Sequence, residues 1–223
     1  MKKITVSALF VVIVCISMAA QNSIFHNPDN KAYFGIRAGG DITCPGNVSV
    51  DDVGFRFFNN GGGIEFGGIY NVPLVANLYI EPGLKFFYDT YSLKNEWLEL
   101  IQDDIIFNSM SIRKFGMRIP VMAGYHFDFT QDISVSVFTG PELEIGFSGK
   151  GYIKGYNIET SESVYGHDGA LNRVNVLWGI GAGMAYRRVY FGINGGIGMT
   201  NMLSDSDAGF HENRVTISLG YNF

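Results

Sequence analysis

Three groups of residues in this chain carry side chains that could do chemistry. His126, with Asp128 close by and Ser134 beyond, has the composition of a hydrolytic site. In such a site an imidazole takes the proton of a hydroxyl and a carboxylate orients the ring. His167, Asp168 and His211 could converge on a metal ion or act as an acid–base pair. Asp103-Asp104 and the pair Asp205 and Asp207 could hold calcium weakly. No group stands in a known catalytic spacing: Gly-x-Ser-x-Gly, His-Glu-x-x-His and a phosphate loop are absent. The Gly-rich run 192–198 puts Asn194 and Ile197 on opposite faces, as a strand does and a phosphate cradle does not. The expectation is therefore a chain that is not an enzyme, with no cofactor and no metal centre.

What could position these residues is legible in the periodicity. Val215, Ile217, Leu219, Tyr221 and Phe223 alternate with Thr216, Ser218, Gly220 and Asn222. Period two means a strand with one apolar and one small or polar face. Seven further segments alternate in the same way, near 33–42, 62–70, 78–89, 114–127, 133–149, 172–186 and 189–199. The connections 71–77, 128–132 and 187–188 are short, whereas 43–60, 93–111, 151–171 and 201–213 are long. An outer-membrane barrel has short periplasmic turns, longer extracellular loops and an even strand count. The predicted fold class is thus all-β, an eight-stranded antiparallel up-and-down transmembrane barrel spanning residues 33–223.

On this reading His126 lies at the periplasmic end of its strand, and the other two groups lie on outer loops. The face opposite the apolar one carries Arg37, Asp41, Glu65, Glu81, Lys85, Asp89, Lys114, Arg118, Glu142 and Glu144. An eight-strand barrel is just wide enough for inward side chains to fill. These ten are expected to pair with one another in the lumen, because an unpaired buried charge costs several kcal/mol. A diffusion pore is disfavoured for the same reason. Phe34, Tyr70, Tyr125, Phe127, Tyr186, Tyr221 and Phe223 are expected to form a periplasmic aromatic girdle.

Two features resist the pattern. Pro82, Pro120 and Pro141 fall inside strands and read as bulge sites. The segment 93–111 holds Trp97, Leu98, Leu100, Ile101, Ile105, Ile106 and Phe107, too apolar for a plain loop. A hairpin above the membrane turning at Gln102-Asp103-Asp104 is expected, with a short helix from Glu96 as the alternative. Tyr152, Tyr156 and Tyr165 lie among Gly and Ser in the third long loop, where they suit partner contact or rest on the barrel rim.

The start of the chain and its composition agree with export to a membrane. Lys2 and Lys3 precede an apolar run over 4–18 and then Ala19-Ala20-Gln21, the pattern of a signal peptide over 1–20, cleaved near Ala19 or Ala20. Residues 21–32 read as a periplasmic lead-in. Cys15 leaves with the signal, so Cys44 has no intramolecular partner, and whether it pairs between chains is open. The chain is 47% hydrophobic with 29 Gly and a net charge of −5, without a basic aromatic patch, so nucleic acid is not an expected partner.

The final strand, ending Leu219-Gly-Tyr-Asn-Phe223, resembles the C-terminal signature of bacterial outer-membrane barrels. Ile80-Glu-Pro-Gly-Leu84, Arg118-Ile-Pro-Val-Met122, Phe138-Thr-Gly-Pro141 and Trp178-Gly-Ile-Gly-Ala-Gly183 follow one another as in the PorT-like, or outer-membrane β-barrel, domain family. The chain is similar to that family over essentially its whole mature length. It departs from it at Arg118, where an acidic residue is common, and at Val121-Met122 in place of two leucines. The resemblance implies the outer membrane, lipid around the barrel and recognition of Val215, Ile217, Leu219, Tyr221 and Phe223 by the barrel-assembly machinery. The expected function is that of a non-enzymatic structural or interacting protein, and the resemblance adds the alternative of a component or accessory of protein secretion with a protein partner. An outer-membrane lipid-modifying enzyme is the remaining alternative.

Overall fold

A computed structural model of the chain describes residues 31–50, 53–100, 107–129, 132–155, 159–166, 169–204 and 208–223. Ten strands and one short helix follow in order: β1 (Tyr33–Val50), β2 (Val53–Phe55), β3 (Gly61–Pro73), β4 (Leu78–Ser92), α1 (Asn95–Leu100), β5 (Phe107–Asp128), β6 (Ile133–Gly155), β7 (Glu159–Ser163), β8 (Val174–Tyr186), β9 (Val189–Gly198) and β10 (Ala208–Asn222). Eight of them form an antiparallel ring, β1-β3-β4-β5-β6-β8-β9-β10, closed by β10 against β1. The closing ladder runs from Gly35 opposite Asn222 to Val50 opposite Ala208. The short β2 and β7 are appended to β1 and β6 beyond the ring.

The alternation has the outcome its periodicity requires. Arg37, Asp41, Glu65, Asp89, Lys114, Arg118, Glu142 and Glu144 are buried inside the ring, while Ile64, Phe66, Phe86, Ile180, Ile217 and Leu219 are exposed outside it. A soluble barrel would keep such apolar side chains in its core, and a surface this apolar belongs in hydrocarbon. Lipid offers no hydrogen bonds, so the ring must close and leave no edge at membrane depth. Even Trp178, outward on β8, gives its Nε1–H to Thr139 Oγ1 at 2.9 Å, and that hydroxyl gives its own proton to the Gly179 carbonyl at 2.8 Å. No helix among the described residues is long and apolar enough to cross a membrane.

At the short-turn end, Phe34 stacks on Phe223 with ring centroids 6.0 Å apart, and Tyr125 meets Phe127 at 4.8 Å. The β3–β4 turn places Ala76 and Asn77 at φ 50° and 67°. Asn77 Nδ2 then reaches the His126 carbonyl and Asp128 Oδ2, each at 3.1 Å, fastening this turn to β5. Arg187, at φ 55°, opens the two-residue turn between β8 and β9 and bridges to Asp132 at 3.2 Å.

The structure departs from the sequence reading in three places. Most strands run further outward than predicted: β1 to Val50, β6 to Gly155, and β10 back to Ala208. Above the lipid both faces are polar, so alternation in hydropathy ends before the ladder does. The expected hairpin over 93–111 is corrected to helix α1 followed by β5 from Phe107; residues 101–106, with the supposed turn at Gln102-Asp103-Asp104, lie outside the described residues. Trp97 anchors the helix by giving Nε1–H to the Arg56 carbonyl at 3.1 Å and by packing on Phe57 at 4.4 Å.

The third correction concerns the prolines. The register is continuous past Pro82, Pro120 and Pro141, and the shifts lie instead between Pro45 and Val48, Phe107 and Ser109, and Phe115 and Gly116. Each inner proline removes ladder pairs without slipping the strand. Pairing skips from Gly83–Ile69 to Ile80–Val72, from Lys85–Arg118 to Pro82–Val121, and from Pro120–Glu142 to Ala123–Thr139. A proline has no N–H to give the opposing carbonyl of Tyr70, Gly83 or Val121. The three gaps touch one another across β3, β4, β5 and β6, forming one diagonal band in the wall.

Candidate functional site

The lumen is filled in layers. Its middle is an ionic layer centred on Arg118, which is fully buried. Nη1 of Arg118 donates to Asp41 at 2.6 Å and to Glu65 at 3.0 Å, Nε donates to Glu144 at 3.0 Å, and Nη2 donates to Asp89. The guanidinium also lies 4.1 Å from the centroid of the Phe87 ring. Four strands thus send carboxylates to one cation on β5. Arginine suits this place because its planar fork carries five donors and holds its charge when desolvated.

Three more cations knit the layer to the rest of the ring. Lys85 meets Glu65 at 2.7 Å; Lys114 meets Glu144 at 3.5 Å and also Glu212; Arg214 meets Glu142 and, at 3.3 Å, Glu144. Thr216 gives its hydroxyl proton to Asp41 at 2.6 Å. Thr216 lies on the polar face expected of the last strand, whereas Glu212 and Arg214 were not anticipated. Glu212 and Arg214 continue the inward positions of the last strand, but their neighbours His211 and Asn213 are polar too, so this stretch reads as loop.

Two of the ten anticipated residues stand apart from this layer. Glu81 accepts a hydrogen bond from Asn71 at 3.2 Å. Arg37 donates to the neighbouring Ile36 carbonyl at 3.0 Å and lies 3.9 Å over the Tyr190 ring.

Above the ionic layer the outer mouth is stoppered by hydrocarbon. Tyr165, Leu171, Met202 and Phe210 form a buried cluster, with Val48, Phe58, Val164 and Leu203 packed against it. Phe58 touches both Phe210, at 5.7 Å, and Tyr91, at 5.3 Å, tying the cap to the layer beneath. Burial pushes the Tyr165 hydroxyl up to about 12. Tyr165 is therefore a rim residue, whereas Tyr152 lies under Arg113 at 4.5 Å.

The candidate catalytic groups do not assemble among the described residues. His126 stacks on Tyr79 at 4.2 Å, and no hydrogen bond joins it to Asp128 or Ser134. His211 is exposed on β10. His167, Asp168, Asp205, Asp207 and Tyr156 lie outside the described residues, as do Asp103 and Asp104. No group of three metal-ligating side chains occurs among the described residues.

A closed antiparallel ring with charge inside and a hydrocarbon-facing exterior defines an integral outer-membrane β-barrel protein. Residues 19–222 match the family model described as outer membrane protein beta-barrel domain, and the chain belongs to that family. Solved structures similar to it include the attachment invasion locus protein Ail of Yersinia pestis (13% identity, 87% of this chain and 100% of that one, TM-score 0.44). Outer membrane protein OprG of Pseudomonas aeruginosa is another (11% identity, 86% and 96%, TM-score 0.45). Neisserial surface protein A is a third (10% identity, 87% and 100%, TM-score 0.44). Comparison with curated proteins finds no match.

Proposed function

We propose that this protein is a closed, non-catalytic barrel that acts through contacts made above the membrane and not through passage along its lumen. The supporting observation is the fully buried Arg118 with carboxylates from four other strands around it, roofed by the Tyr165–Leu171–Met202–Phe210 cap. Opening a path would strand several desolvated charges. The surface offered above the bilayer includes Phe55, Phe57 and Trp97, which pack on one another with Phe55 exposed. Exposed aromatics of this kind suit a protein partner.

Reconstitution into planar bilayers is the direct test. Wild-type protein is expected to give no steady conductance. Sustained channel steps that change with Arg118→Met would overturn the reading. Cross-linking in intact membranes, with a variant shortened between β1 and β3 as control, then asks whether a partner depends on the loops. Recovery of secretion components in a loop-dependent manner would favour the secretion accessory over a general surface protein.

We also read Val215, Ile217, Leu219 and Tyr221, outward on the closing strand β10, and Phe223 just past its end, as the stretch the assembly machinery engages. Replacing Tyr221 and Phe223 by Ala should lower the amount of barrel reaching the membrane while sparing refolding of purified chain in detergent.

A further inference from the structure

The outward face of the β5–β6 ladder carries two adjacent cations at the level where the apolar wall ends. Phe115 on β5 and Phe147 on β6 are exposed on that wall and meet edge to face, with ring centroids 5.8 Å apart. One outward row beyond them, toward the long loops, Arg113 stands opposite Lys150, and both are exposed. Residues paired across an antiparallel ladder share a face, with Cβ atoms about 4.5–5.5 Å apart, and like charges so placed repel. The pair does not relax by swinging the arginine away into the loops. Its guanidinium lies 4.5 Å from the ring centroid of Tyr152, the next outward residue of β6, which holds it against the wall.

The residues facing this pair from the strands around it are uncharged. Thr90 on β4 is opposite Arg113, and Ser163 on β7 is opposite Lys150. Along the strands, Ser111 and Phe115 flank Arg113, while Ser148 and Tyr152 flank Lys150. Glu162 is opposite Gly151 and so falls on the other face; Glu159 is opposite Lys154, two outward rows further from the wall. Among the described residues neither Arg113 nor Lys150 is in an ion pair. The buried lumen cations Lys85, Lys114, Arg118 and Arg214 each have at least one carboxylate. The chain as a whole carries −5, so this excess of positive charge is local.

Two neighbouring cations ringed by the hydroxyls of Thr90, Ser111, Ser148 and Ser163 suit one shared oxyanion. A guanidinium takes phosphate oxygens in pairs, an ammonium adds a point charge, and hydroxyls donate to the lone pairs left over. The wall beneath selects a phosphate that carries acyl chains. Long loops mark the outer side of an outer-membrane barrel, so this level is the head-group region of the outer leaflet. We propose that Arg113 and Lys150 form a binding site for the phosphate group of a lipid in that leaflet, its acyl chains lying along Phe115, Phe147 and the exposed Val174 of β8. The site is independent of any contact made by Phe55, Phe57 and Trp97.

The test uses the full barrel in neutral maltoside micelles, with bound lipid counted by native mass spectrometry. Dioctanoyl phosphatidic acid should bind at least about tenfold more tightly than dioctanoyl phosphatidylcholine, the scale of a charge-assisted hydrogen bond. This comparison needs no variant, so it does not depend on a mutant folding. Arg113→Gln combined with Lys150→Gln should abolish the preference, and Arg113→Lys should keep part of it. Arg56→Gln, also exposed at the outer end, should leave it intact. Inorganic phosphate at the same concentration should not displace the lipid. Equal binding of the two lipids overturns the proposal, because the apolar wall alone then accounts for binding. Displacement by inorganic phosphate overturns it in favour of a soluble-anion site. A preference that survives the double exchange overturns it by placing the phosphate elsewhere, and so does the absence of binding by either lipid.

Discussion

Arg118 shows how one side chain can set the electrostatics of a whole lumen. Its replacement by Met would keep most of the packing and leave Asp41, Glu65, Asp89 and Glu144 facing one another without their shared cation. The expected cost is about 3–5 kcal/mol, the usual penalty for breaking a buried ion group from one side. It should appear as a lower urea midpoint for unfolding from lipid vesicles, followed by fluorescence of Trp97 and Trp178. Tyr165 makes a prediction of opposite polarity. Its hydroxyl, raised from 10.0 to about 12 by burial, keeps its proton longer in the folded cap than in the open one. The cap's contribution is thus full below pH 10 and is lost as pH rises through 12. Tyr165→Phe should remove that alkaline sensitivity, measured as proteolysis of the outer loops across this pH range. That Arg118 faces inward was legible in the alternation around it. Its convergence with four other strands was not, because register between distant strands leaves no mark within any single segment.

Among the elements, the three prolines repay attention most. In sequence they are three separate short motifs, Pro82-Gly83, Ile119-Pro120 and Gly140-Pro141, and each suggests a bulge. In the folded ring they are neighbours, each missing its own ladder hydrogen bond while the register holds. Periodicity locates a strand but says nothing about which donor is absent on which side. Pro120→Ala would supply an N–H opposite the Gly83 carbonyl. A recovered backbone bond contributes about 0.5–1.5 kcal/mol net, offset in part by the greater freedom Ala gives the unfolded chain. A raised urea midpoint together with slower amide exchange at Gly83 and Val121 would show that the gap is a missing bond. An unchanged midpoint would mean that strain or lost packing cancels it. The helix α1 was less legible still. Its apolar residues satisfy strand and helix alike, and what decides between them is the distant docking of Trp97 on Phe57 and Arg56.

The whole molecule was the easiest scale to read, since inside and outside are exchanged relative to a soluble barrel and alternation records both faces. Its outer rim was harder, because polar residues there conceal the continuation of the strands. The rim is far from level. β6 runs on from Ile145, where β8 ends its pairing, to Gly155, roughly 30 Å of strand beyond its neighbour's reach. On the far side of the ring β1 and β10 remain paired as far as Val50 and Ala208. Among the described residues the strand ladders therefore reach furthest at β5–β6 and again, directly opposite, at β10–β1, and end lower at β3–β4 and β8–β9. Seen from above, such a molecule has a compass direction. A broad object settling from outside meets ladders of unequal height around the ring, so how it sits depends on which way the barrel happens to be turned.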